Sequence, residues 1–178
     1  DKRRVTDDSE ILRLYQRSGN LLADEMEVFG TSIQDVNKNT FDAYFKKEFG
    51  QSYEEKGLTF EDALKAKRVL RNNQLTLAGL LFFGKEPQTL KPAFTIKVVS
   101  YFGNNIESND YKSKPGDLQG TIPDLFEGAM KFLKSSLYFL QAGQNFNSIG
   151  KLEGSEIALI ELLQNALVHR DYFKNSPI

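Results

Sequence analysis

Residues 161–172 read ELLQNALVHRDY and hold the only histidine of the chain, His169. At about 100° per residue, Glu161 and Asn165 share one narrow sector of a helix, with His169 one turn further along. Ile157, Leu159, Ile160, Leu162, Leu163, Ala166 and Leu167 occupy the rest of the circumference. A helix apolar nearly all round is expected to be buried, here over about 155–169. A carboxylate and an amide on such a helix need partners, because an unpaired buried polar group is costly. Two explanations stay open: a polar cavity that holds a ligand, or a structural network pairing Glu161 with a base and Asn165 with backbone.

The ligand explanation has a definite chemistry. A glutamate can take a proton from an attacking water, and an asparagine oxygen can bind Mg²⁺ without adding charge. Both suit phosphoryl transfer from ATP, where catalysis is mostly positioning and charge stabilisation.

Working back along the chain, the long helix before this one has Thr121 as its cap and Pro123 near its first position. Ile122, Leu125, Phe126, Ala129, Leu133 and Leu140 form its apolar stripe. Between the two helices, 141–154 reads as a connection with room for a short strand. Residues 104–120, NNIESNDYKSKPGDLQG, read as a long polar surface loop. AFTIKVVSYFG (93–103) reads as a strand with Phe94, Ile96, Val98 and Phe102 on one face. In LTLAGLLFFGKEPQ (75–88), Thr76 caps a short helix, Gly79 permits close packing, Gly84 ends it and Pro87 prevents its resumption.

Further upstream, TFEDALKAKRVLRNN (59–73) reads as one helix with acids first and bases last. A helix over 40–50 sets Phe41, Tyr44, Phe45 and Phe49 at core spacing. A first helix has Ser9 as cap and Gly19 as stop, and 21–32 reads as extended up to a turn at Gly30. The pattern is α+β, helix-rich with a small β-sheet. It is expected to divide into a region 1–103, the loop 104–120, and a region 121–178.

Composition sets outer bounds. With 40% hydrophobic and 12% aromatic residues, a real core can form. There are 23 Lys+Arg against 24 Asp+Glu, so no general pull towards nucleic acid or anionic lipid exists. The absence of cysteine excludes disulfides and thiolate metal sites and suits the cytoplasm. No apolar run is long enough to span a bilayer as a helix. The chain opens on Asp1 and stops at Ile178 just after a motif, so it is expected to be a central piece of something longer.

ELLQNALVHRDY, with its Glu-x-x-x-Asn-Ala core, resembles the N-box of GHKL ATPases such as gyrase, histidine kinases and MutL. The HRDY ending, LTLAGLLFFGKEPQ, the strand after it and the opening LYQRSGNLLADEMEVFGTSIQDVN (14–37) together resemble the RecG-related transcriptional regulators. In that family a Schlafen/AlbA-type DNA-binding domain precedes a divergent GHKL-like ATPase region. The resemblance implies that 121–178 begins a GHKL-like α/β sandwich. It implies Glu161 as the water-activating base and Asn165 as the Mg²⁺ ligand of bound ATP. His169, Arg170 and Asp171 are family-signature residues without an assigned role. The implied cofactor is MgATP and the implied partner is DNA, held largely by regions beyond this chain. The alternative is an inert GHKL-like scaffold used for homodimerisation or domain docking.

Other candidates have weaker chemistry. His169 lacks a second His or a Cys for a metal site, and its ring nitrogens are expected to anchor the helix end. Arg170 and Asp171 could pair with each other or with neighbours. Lys65, Lys67, Arg68 and Arg71 could contact DNA phosphates, and a solvated helix face explains them equally well.

Overall fold

Phe41 and Phe45 lie one helical turn apart, and in the computed structural model of the protein both are buried. Residues 7–19, 21–103, 110–140 and 151–178 are described. Among them the protein is α+β and helix-rich, with seven α-helices and three antiparallel strand pairs. The chain divides into two compact units, Asp1–Lys85 and Glu86–Ile178.

The first unit is built around rings. α1 spans Asp8–Arg17, and the Asp7 carbonyl accepts from the amides of Glu10 and Ile11, so the helix starts ahead of the expected Ser9 cap. The segment expected to be extended instead forms a 3-10 turn at Ala23–Glu25, and Glu27 then bridges Thr76. Gly30 turns the chain at φ 81°. α2, Lys38–Phe49, is capped by the Asn37 side chain and ends on left-handed Gly50. Its Phe41 meets Phe60 and Phe83 edge to face at 5.7 and 5.2 Å, and Tyr53 packs alongside.

α3 is shorter than the expected 59–73 helix. It covers Phe60–Ala66, held by a reciprocal Thr59–Asp62 cap. The chain then forms a hairpin, β1 (Leu70–Arg71) against β2 (Gln74–Leu75), with Leu70 opposite Leu75. Asn72 and Asn73 take φ of 45° and 62°, the left-handed pair that a two-residue hairpin turn requires. Burial of Leu70 and Leu75 outweighs the helix propensity of the preceding bases. α4, Leu77–Phe83, follows as expected, with Thr76 as cap and Gly84 at its end. A Cβ on Gly79 would collide with the Val69 carbonyl, which explains the glycine.

In the second unit Pro87 opens a short helix, α5 (Pro87–Leu90), in place of merely ending the previous one. Gln88 holds the segment beyond it: its amide nitrogen donates to Phe94 O and Gly120 O, and its oxygen accepts from Gly120 N. The expected strand at 93–103 is only partly a ladder. Phe94 and Ile96 are buried, and Ile96 bridges Leu118. The ladder proper is β3 (Ser100–Tyr101) with β4 (Tyr111–Ser113). Phe102 is exposed and does not share the buried face. Part of the expected polar loop is therefore strand; its residues 104–109 lie outside the described residues.

α6 runs Ile122–Ser136 with a reciprocal Thr121–Asp124 cap. It buries Leu125, Ala129 and Met130. Leu140, expected on its stripe, falls beyond the helix end in β5 (Phe139–Leu140), which pairs with β6 (Lys151–Leu152). The connection between them, 141–150, lies outside the described residues. α7 is Glu156–Val168, with Ser155 as cap. The core of this unit joins Ile96, Leu125, Ala129 and Leu167, with Val98, Leu118, Phe126 and Leu163 packed around it.

Candidate functional site

α7 contacts the core through Leu163 and Leu167, which are spaced one turn apart. The expectation that this helix is buried all round does not hold. Ile157 is 70%, Leu162 67% and Val168 69% exposed. The described part of the second unit covers one stripe of α7 and leaves the other sides in solvent. Glu161 and Asn165 are both exposed. Neither side chain has a hydrogen bond or ion pair among the described residues, so the structural network weighed as one explanation is not formed there. Exposure also removes the desolvation cost that made partners necessary. A carboxylate and an amide oxygen are thus displayed on one face of an anchored helix.

The residues after the helix have specific partners. His169 is the C-terminal cap residue; its amide donates to Asn165 O at 2.9 Å. The backbone amide of His169 makes that bond. Arg170 and Asp171 do not pair with each other. The Arg170 guanidinium lies 4.1 Å from the Phe94 ring centre and 5.6 Å from that of Tyr172. It donates to Ala93 O at 3.4 Å and to Ser176 O. Burial pulls the guanidinium pKa below its ordinary value, and the Tyr172 hydroxyl acts in the opposite direction. Asp171 Oδ1 accepts from the Phe173 amide at 3.1 Å, forming an Asx turn. Tyr172 Oη donates to Leu167 O at 2.6 Å, and its ring meets Phe94 edge to face at 5.7 Å.

The basic run belongs to the first unit, and its cations face internal partners. Lys65 pairs with Glu61 at 2.6 Å, Arg68 with Glu25, and Arg71 with Glu27 at 3.6 Å. Lys67 Nζ stands 4.6 Å from the Phe49 ring centre. Lys65, Arg68 and Arg71 line an open groove of about 320 Å³ together with Glu25, Leu70 and Thr76. Sequence reasoning passed over Glu25 and Glu27, which lie some forty residues upstream of their partners. It also passed over Phe94 and Tyr172 as partners of an arginine. The aromatic after HRD was the one available signal. Among the described residues no cluster of His, Asp and Glu could hold a metal ion unaided.

The class defined by these observations is a helix-rich α+β protein of two compact units. Residues 12–97 match a family model described as a domain of unknown function, DUF8451. That match ends ahead of α6 and α7. No curated protein matches the chain. Among solved structures, the chain is similar to the DIP2311 protein from Corynebacterium diphtheriae, at 21% identity with a TM-score of 0.49. The similarity covers 98% of this chain and 33% of that one, so the chain spans about a third of that protein's length.

Proposed function

We propose that this chain is the central part of a RecG-related regulator in which α7 forms one wall of a GHKL-type MgATP site. One observation carries the reading: Glu161 and Asn165 stand exposed on one face of a core-anchored helix with no partner among the described residues. Water satisfies both groups where they stand, so they are free to meet a ligand. MgATP supplies the transferable phosphoryl group when bound. The Asn165 side-chain oxygen would hold the Mg²⁺, and Glu161 would accept the proton of the attacking water. DNA contact belongs to regions largely outside this chain, with nucleotide state modulating it.

The test uses the full-length protein, with calorimetry for MgATP binding and phosphate release for turnover. Glu161→Gln is expected to retain binding and lose at least about a hundredfold in hydrolysis, the usual share of a general base. Unchanged hydrolysis removes Glu161 from the mechanism. A second reading, an inert scaffold for dimerisation or docking, is favoured by the exposed Ile157, Leu162 and Val168 on the same helix. Absence of MgATP binding, together with a dimer that Leu162→Glu dissociates, selects it.

A further inference from the structure

We propose that Arg170 is a positioning residue for the Glu161–Asn165 pair, acting by clamping the end of α7 to the segment 93–97. The role rests on the MgATP reading above, but the clamp is defined by geometry alone. A helix end leaves carbonyls without intrahelical partners, and glycine usually follows to let the chain turn back. No glycine follows Val168 here. The Asx turn at Asp171 reverses the chain instead, and it returns Tyr172 to the helix end, where its hydroxyl takes the Leu167 carbonyl.

Arg170 then joins three pieces. Its guanidinium lies over the Phe94 ring and bonds the carbonyls of Ala93, in the turn before Phe94, and Ser176, on the returning chain. Two residues further, Ile178 completes the attachment: its amide donates to Thr95 O at 3.0 Å and its carbonyl accepts from Lys97 N at 2.9 Å. Asn165 sits in the helical turn being held, since its own carbonyl accepts the His169 amide. A planar guanidinium can stack on a ring and reach two carbonyls at once; an ammonium cannot do both in that geometry. The direction of the Asn165 side chain therefore depends on a residue that never meets the ligand.

The experiment compares wild-type full-length protein with Arg170→Lys, Asn165→Ala and the double variant, well below their melting temperatures. Calorimetry reads MgATP affinity, and amide hydrogen exchange reads the His169 and Lys97 amides. Arg170→Lys is expected to lose protection at both amides and to weaken MgATP binding about tenfold, the scale of a lost orienting partner. In the Asn165→Ala background the same change is expected to cost nothing more, because its effect passes through Asn165. A merely structural clamp gives a different pattern: protection lost with affinity unchanged, or losses that add independently. Either result overturns the proposal. Wild-type protein that binds no MgATP sinks the functional reading and the positioning role with it, while the exchange data still decide whether the clamp holds the helix end.

Discussion

Tyr53 is buried among the rings of Phe41, Phe45 and Phe60, and that burial pushes its phenol pKa up, with Lys38 pulling partly the other way. A folded-state pKa above the unfolded value means the folded form holds its proton longer. The stabilisation is complete below the unfolded value of about 10 and is lost as pH rises through the folded one. Denaturant melts across that alkaline range should show wild-type protein losing stability faster than Tyr53→Phe; parallel curves would mean the phenol ionises freely. Gly79 gives a sharper residue-scale test. Its missing Cβ faces the Val69 carbonyl, a backbone atom that cannot rotate aside. Gly79→Ala should destabilise by about 1–3 kcal/mol despite the better helix propensity of alanine. The need for glycine here was legible in LTLAGLLFF, because a glycine inside a helical pattern signals close approach. The role of Arg170 was not legible, since its partners at 93, 94 and 176 are set by the fold.

At the scale of elements, caps were the readable feature. Thr59, Thr76, Thr121 and Ser155 each accept from an amide three residues on. This bond is local, so the sequence alone specifies it. Thr121→Ala, which removes the hydroxyl that accepts from the Asp124 amide and donates to Asp124 Oδ2, should lower the stability of the second unit by about 1 kcal/mol in denaturant titrations. Lengths were less readable. The helix at 59–73 stops at Ala66 because Leu70 and Leu75 gain more by pairing across an Asn-Asn turn than by continuing the helix. RNNQ carried that turn in plain sight, and the basic helical pattern around it masked it. The strand at 93–103 forms a ladder only at Ser100–Tyr101, where β4 supplies a partner. A strand extends only as far as another segment pairs with it.

For the whole molecule, the formal net charge of −1 is distributed so that acids neutralise the densest basic run. Glu25 and Glu27 beside Arg68 and Arg71 lower the net positive charge that this face offers to a phosphate backbone. If the full-length protein binds DNA as proposed, Arg68→Glu with Arg71→Glu is expected to leave that affinity, and its salt dependence, unchanged. A fall in affinity with a shallower salt slope would instead put this face on DNA. No helix among the described residues is long and apolar enough to cross a membrane. The two units place the two candidate sites apart in the chain: the basic groove lies within Asp1–Lys85 and the Glu161–Asn165 pair within Glu86–Ile178.

The sequence by itself determined the caps of α3, α4, α6 and α7, the buried Phe41 and Phe45 of α2 (though not the exposed Phe49), the helix-rich α+β class and the shared face of Glu161 and Asn165. Each of these follows from periodicity or from bonds between residues a few positions apart. Only the tertiary structure decided which stripe of α7 is covered, that Glu161 and Asn165 are left in solvent, that the basic run is paired, and that HRDY closes on Phe94. Those outcomes depend on contacts between distant segments, and an apolar helix carries no local signal of how much neighbouring surface the fold will bring to it.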